Sequence, residues 1–361
     1  MCSLTYVNIY WGVVLALHPF ILRVIDRPAG REGKDFFFYF IVCLGVVLFG
    51  NSKLPKTESI ILGLLMVVGF LNQYNFMDYF SAYQMFFVFI SIVFLAHIYG
   101  NIEKINLLNI VAISGALGSV FILFEACGVY LYKEYVNLMY SGALVDKKSV
   151  ITGALINSNL SGAHIALAMP AIFRRKFAYL APLYMSALYL CDSTMAVGTA
   201  VAGLLYFGYT KYFRAQSLPY LGALIAMFAL FWFSPRGQFG IDSGRFQAWD
   251  LMLQKAIVHF PFGNGMGWFA SNFHKKYSVF NMSFVQEHNE FLSAYFMYGL
   301  FGIVSGLILL GRAIKGTNRI AAAGLFAFFV NCFGNFPLHV TPLAAIGIIY
   351  YALSLKSTEA A

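Results

Sequence analysis

The sequence predicts an all-α fold: a polytopic integral membrane protein of about 12 transmembrane helices, with one large outer loop that contains an amphipathic helix. Three observations carry that expectation. Apolar side chains make up 60% of the 361 residues and charged ones only 11%, with mean hydropathy +0.73, against roughly 45–50% apolar and ~25% charged in soluble domains. The apolar residues fall in runs long enough to cross a ~30 Å hydrocarbon layer as helices. Polar and charged residues concentrate in one segment, 235–288. This composition excludes a soluble globular enzyme, a disordered chain and a disulfide-rich secreted module.

The runs lie near 4–24, 36–50, 58–71, 80–100, 106–132, 151–173, 178–191, 195–210, 217–234, 289–311, 319–338 and 342–355. The first lacks a basic leader and a small-residue cleavage site, so it reads as a retained span rather than a signal peptide. Three runs (36–50, 58–71 and 178–191) fall short of ~20 residues, which admits a re-entrant segment among them. Residues 1–361 form a single transmembrane domain, and 235–288 is an insertion between spans 9 and 10. No internal repeat is visible, and glycines are spread through the spans, as close helix packing allows.

The charge of +9 comes from short clusters between spans, not from a basic stripe interleaved with aromatics, which argues against nucleic acid as a partner. With the N-terminus inside, the inner loops hold Lys53, Lys56, Lys104, Arg174, Arg175, Lys176, Lys211, Arg214, Arg312, Lys315, Arg319 and Lys356. The short outer segments hold seven: Arg23, Arg27, Arg31, Lys34, Lys133, Lys147 and Lys148. Twelve against seven favours both termini inside, although the Arg23–Lys34 cluster pulls the other way. The five cysteines show no CxxC or zinc spacing and read as packing residues.

Function is sought in the insertion, because it collects the ionisable residues that the spans lack. Phe246, Trp249, Leu253, Ala256, Ile257 and Phe260 recur at helical spacing, with Gln247, Asp250, Gln254 and Lys255 on the other face, which predicts an amphipathic helix at the interface. Ser243 is placed to cap it. Arg245 then sits in the first turn, where the dipole and free N–H groups favour an anion, so a phosphate site is expected. The competing reading is an arginine that snorkels to headgroups. Arg236, Lys275 and Lys276 are weaker candidates of the same kind. Gly263, Gly265 and Gly267 alternate after this helix, but no strand and helix bracket them as a dinucleotide loop requires. Their expected role is backbone that bends sharply or approaches another group closely.

His288 closes the insertion, with Glu287 and Glu290 beside it and an apolar run beginning at Phe291. At its ordinary pKa of ~6.5 a histidine there can accept a proton from a hydroxyl, and a neighbouring carboxylate can orient the ring. The plainer alternative is an interfacial histidine satisfied by water, the reading given to His259, His274, His18, His97, His164 and His339. The acidic residues have no calcium or zinc spacing, so no metal and no cofactor is expected, and no G-x-S-x-G elbow points to covalent catalysis. NSNLSGAH at 157–164 and DST at 192–194 put polar groups inside spans, where they line a cavity or form interhelical hydrogen bonds.

Four pieces together resemble the O-antigen ligase and polymerase superfamily: GALINSNLSGAHIALAMP (153–170), SGRFQAW (243–249), P-x-G-x-G-x-G (261–267) and HNEFL (288–292) followed by YGLFG (298–302). The likeness spans roughly residues 150–310. It implies that the insertion is a large periplasmic loop in the bacterial inner membrane. It also implies that His288 is the base activating an acceptor hydroxyl and that Arg245 holds the diphosphate of an undecaprenyl-diphosphate-linked oligosaccharide. Arg236, Lys275, Asn289 and Glu287 would assist in substrate binding. The family's Ser-Arg-Gly is replaced here by Ser193-Thr194-Met195, so one arginine is missing and another cation must substitute or the diphosphate is held differently.

The activity so implied is inverting, metal-independent glycosyl transfer in lipopolysaccharide assembly, as O-antigen polymerase, slightly favoured, or as ligase. The acceptor is then a second lipid-linked repeat or lipid A-core, with a chain-length regulator or flippase as a further partner alongside the lipid bilayer. A polyprenyl-linked glycan flippase or transporter is the alternative from another class, and a protein oligosaccharyltransferase a third acceptor choice.

Overall fold

The computed structural model describes residues 2–18, 30–72, 79–129, 153–155, 157–191, 193–212, 245–255, 261–269, 289–314, 318–335 and 337–359. All regular structure among these residues is helical. In chain order the helices are α1 (Cys2–Leu17), α2 (Gly30–Phe49), α3 (Lys56–Leu71), α4 (Tyr79–Gly100), α5 (Leu107–Ala126) and α6 (Ser158–Ala168). They continue as α7 (Ala181–Leu190), α8 (Thr194–Tyr212), α9 (Arg245–Lys255), α10 (Glu290–Ile314), α11 (Arg319–Cys332) and α12 (Thr341–Glu359). Eleven fall on expected apolar runs, and α9 is the helix expected in the insertion. The expected run 217–234 lies outside the described residues.

Among the described residues, three helical stretches are long and apolar enough to cross a membrane: Ala82–Gly100, Leu107–Ala126 and Glu290–Ile314. Several helices are shorter than their apolar runs, for local reasons. The 106–132 run stops at Ala126 because Gly128 takes φ +84°. The Val129 N–H then bonds the Phe124 carbonyl (2.9 Å) and the Gly128 N–H that of Glu125 (2.9 Å), the closing bonds of a Schellman turn. The 151–173 run is not one α-helix: a turn at 153–155 precedes α6, and a 3₁₀ segment, Met169–Phe173, follows it. Pro170 opens that segment, lacking the N–H that an α-helical ladder needs. Asn157 caps α6, its Oδ1 accepting from the N–H groups of Asn159 (2.9 Å) and Leu160 (3.2 Å). Asn157→Ala is expected to cost about 1 kcal/mol, read as a lowered midpoint in thermal unfolding of the detergent-solubilised protein.

Helix α6 runs through the core, with every residue from Ser161 to Ala168 buried. The same core holds Trp11, Phe38, Phe94, Tyr184 and Tyr350, all fully buried. The two tyrosines place their hydroxyls on backbone carbonyls, Tyr184 on Ala112 (2.6 Å) and Tyr350 on Leu167 (3.0 Å), so their polar tips are satisfied within the core. The outer faces are apolar as well. Ile60, Leu64, Val67 and Leu71 form an exposed stripe on α3, and Leu300, Val304, Leu307 and Ile308 do so on α10. In water such stripes would be polar.

One end of the bundle gathers basic loops. Asn8 donates to the Lys104 carbonyl, the Lys53 N–H bonds Ala96 (3.1 Å) and Arg174 donates to Asn109. Lys356 stands 3.6 Å from Glu103 and Arg312 2.6 Å from Glu58. These five cations all belong to the set that the charge count puts on the inner side. Helices α3 and α10 are antiparallel neighbours: Glu58 meets Arg312 at this end, and Gly69 lies against Met266 and Tyr298 further along.

Candidate functional site

The site is built around a break in α10. Gly299 has φ 60° and ψ −147°, a conformation that interrupts the helix and is open essentially only to glycine. The break frees backbone groups, and the glycine-rich segment 261–269 takes them up. Asn264 N–H bonds the Phe296 carbonyl (2.7 Å), Gly265 N–H that of Met297 (3.1 Å), and Phe301 N–H donates to Pro261 (3.3 Å). Gly263, Gly265 and Gly267 all have positive φ. A Cβ on Gly263 would come within 2.5 Å of the Gly299 nitrogen, so the two backbones touch. The sharp bend and close approach expected of these glycines are met by helix backbone. Side chains anchor the segment from both sides: Asn72 donates to the Phe262 carbonyl (2.9 Å), and Gln84 accepts from Gly267 N–H (2.7 Å).

The same segment docks α9. Met252, Phe269 and Phe296 form a buried cluster, with Trp249, Leu251, Trp268 and Leu292 packed on it. Of the expected apolar face Trp249 packs on this cluster and Leu253 does not, while Phe246, Ala256, Ile257 and Phe260 lie outside the described side chains. Met252 is buried and Leu253, assigned to the apolar face from spacing, is 56% exposed. The buried methionine packs on Phe269 and Phe296, a contact its polarizable thioether suits. The polar face agrees with expectation, with Gln254 donating to Asp250 (2.8 Å) in solvent. Arg245 is the first residue of α9, one turn before Trp249.

Helix α10 begins at Glu290, capped by Asn289. The Asn289 Oδ1 accepts from Phe291 N–H (2.9 Å) and Leu292 N–H (3.1 Å), and its Nδ2 donates to the Phe333 carbonyl (3.2 Å). The Glu290 carboxylate is only 6% exposed. It accepts from Leu338 N–H (2.6 Å) through Oε1, and Oε2 lies 3.1 Å from His339 Nδ1. Of the residues expected to act, Arg245 and Asn289 are thus on elements that share one cluster through Trp249 and Leu292. His288, Glu287, Arg236 and Lys275 lie outside the described residues. Sequence reasoning missed the Glu290–His339 pair: Glu290 was a possible orienting carboxylate for His288, and its contact is with His339, 49 residues on. The available signal was an ionisable pair at the mouths of two apolar runs.

The polar residues inside the spans make bonds between helices or between a helix and the turn beside it. Ser193 donates to Asn159 (2.9 Å), Asn331 to Thr199 (2.9 Å), and His164 Nε2 lies 3.0 Å from Ser114 Oγ. Ser161 accepts from Leu155 N–H (3.0 Å) and Glu125 from Gly153 N–H (2.8 Å). These are the packing bonds of the two alternatives raised by the sequence. Asp192 lies outside the described residues.

The sequence matches no protein-family model and no curated protein significantly. The class defined by the structure is accordingly broad: a protein all-helical among the described residues, with helices suited to crossing a membrane, an aromatic cluster that docks α9 on α10, and polar contacts between the start of α10 and the α11–α12 connection.

Proposed function

We propose that this chain is a multi-pass protein of the bacterial inner membrane, with about 12 spans and its 235–288 loop in the periplasm. In this reading it transfers glycan from an undecaprenyl-diphosphate carrier to an acceptor hydroxyl, polymerising O-antigen repeats in preference to ligating them to lipid A-core. The observation that carries the reading is the shared aromatic cluster. It seats the helix that starts with Arg245 against the first turns of the helix that follows His288. In this reading Arg245, the first residue of α9, supplies the cation that an anionic leaving group requires, and His288, two residues before α10 in sequence, the base for a nucleophilic hydroxyl.

The acceptor oxygen forms a bond to the anomeric carbon as the bond from that carbon to the diphosphate oxygen breaks, with inversion. His288 takes the hydroxyl proton, and Arg245 stabilises charge on the departing lipid diphosphate, more strongly at a low-dielectric interface than in water. A flippase is the second reading, favoured by the buried Glu125, His18 and His164 within the bundle, since ionisable groups there often mark transport paths.

Glycan banding on lipopolysaccharide gels tests both, in a host lacking its own enzyme and complemented with membrane-verified variants. Wild type is expected to extend single repeats into a ladder, and His288→Ala and Arg245→Ala to abolish it. Restored capping of preformed polymer would make the protein a ligase. Full activity of both alanine variants would overturn the transferase reading in favour of transport.

A further inference from the structure

We propose that Trp11 on α1 and His97 and Asn101 at the end of α4 form a binding site for internal water, which ties α1 to the turn joining α2 to α3. These residues lie outside the 235–288 loop, so the site does not depend on the transferase reading.

Four buried polar atoms meet no hydrogen-bond partner among the described residues here: Trp11 Nε1, His97 Nδ1, His97 Nε2 and Asn101 Oδ1. Trp11 and His97 have no exposure, and Asn101 has 1%. The three side chains are neighbours. The Trp11 and His97 ring centroids lie 5.4 Å apart with planes inclined at 46°, too close for another side chain to lie between them. Asn101 follows His97 by one turn, and its Nδ2 donates back to the His97 carbonyl (3.0 Å). Leaving a buried donor or acceptor unpaired is costly, so such atoms meet protein or ordered water in folded chains.

The orientation of the Asn101 amide is fixed by its other side. Nδ2 also faces the carbonyls of Gly50 (3.2 Å) and Asn51 (3.4 Å), and a flipped amide would set its oxygen against three carbonyl oxygens. Oδ1 therefore points away from the turn. That turn is an unusual one, with φ 54° at both Gly50 and Asn51. It is held to α4 by Asn101, by the Lys53 N–H on the Ala96 carbonyl (3.1 Å) and by Asn51 Nδ2 on the Gly100 carbonyl. A ligand on Oδ1 thus braces the residue that pins the turn.

The unpaired atoms select the ligand. Trp11 Nε1 only donates, Asn101 Oδ1 only accepts, and a neutral imidazole does one of each. The indole N–H opposes a cation, and the amide oxygen opposes an anion. What remains is small, uncharged and able both to donate and to accept, and buried water makes about three such bonds. One water cannot reach both nitrogens of one ring, so the outward His97 nitrogen takes a second.

Solid-state NMR of the full-length protein in lipid bilayers tests this by reading proton transfer from water to the His97 ring and the Trp11 indole. Phe94 and Ile98, buried on α4 beside His97, are the dry references. Transfer to both rings is expected at mixing times too short to reach the references. Thermal unfolding of Trp11→Phe, His97→Phe and the double variant is the second measurement. Each single change strands what the water bonded and should lower the midpoint by at least about 2–4 °C, with the double variant losing clearly less than the sum. Transfer no faster than at Phe94 and Ile98 overturns the proposal. Single variants that match or exceed wild type also overturn it, because that is the result for polar atoms with no ligand to lose. Transfer to one ring only, with additive variants, means that the rings share no water, and the tie fails. If the variants do not accumulate, the wild-type NMR decides alone.

Discussion

Gly299→Ala is expected to leave little folded protein. The residue sits at φ 60° and ψ −147°, where a side chain costs on the order of 1–3 kcal/mol in backbone strain alone. Space is lacking as well: a Cβ would lie 2.6 Å from the Gly263 nitrogen and even closer to the Pro261 carbonyl oxygen. Both obstacles are backbone, so neither can rotate away. Relief requires residues 261–265 to withdraw, which breaks the bonds from Asn264 to Phe296, Gly265 to Met297 and Phe301 to Pro261. Each buried group left unpaired costs about 1–3 kcal/mol. The sum reaches the ~5–15 kcal/mol by which proteins are stable at all. Gly306→Ala is the control on the same helix, because nothing lies within 4 Å of a Cβ there. It should be neutral or gain up to about 1 kcal/mol. Yield and unfolding temperature of the two variants in one detergent compare them directly, and equal behaviour would show that the break in α10 tolerates a side chain.

Arg312→Met should be the second most damaging change. Glu58 in the first turn of α3 has no exposure, while Arg312 in the last turn of α10 is 40% exposed; Nε stands 2.6 Å from Oε1 and Nη2 3.4 Å from Oε2. Removing the arginine strands a buried carboxylate, which costs about 3–5 kcal/mol for a fully buried pair. Solvent reaches the arginine here, so about 2–3 kcal/mol is the expected loss. Glu58→Leu combined with Arg312→Met should regain most of it, since two apolar side chains leave no charge to satisfy. A double-mutant cycle on unfolding free energies measures the coupling. Additive effects would mean that the two side chains do not interact, and that the antiparallel pairing of α3 with α10 rests on apolar contacts alone.

Helix type and approximate position were legible, because apolar runs and the periodic 245–255 segment are local properties of the chain. Helix ends were less so. Gly128, Pro170 and the turn after Cys332 stop their helices inside apolar runs that hydropathy alone would carry onward, since hydropathy measures solvent preference and not backbone geometry. The candidate site was legible as residue types: a cation opening a helix, alternating glycines, a histidine before a span. Which of Met252 and Leu253 docks was not, because both are apolar and their burial depends on where Phe269 and Phe296 lie in the folded chain.

By itself the sequence determined that this is an all-helical chain whose apolar surface suits lipid, that basic residues favour one set of loops, and that one polar insertion holds the candidate chemistry. These follow from composition and short-range spacing, which need no partner to be defined. The tertiary structure alone decided that the glycine-rich segment fills a break in α10, that Glu290 faces His339 across 49 residues, and that Glu58 is neutralised by Arg312 across 254. Such pairings are set by closure of the bundle, where buried backbone groups and charges must find partners wherever packing brings them, and sequence separation carries no information about that choice.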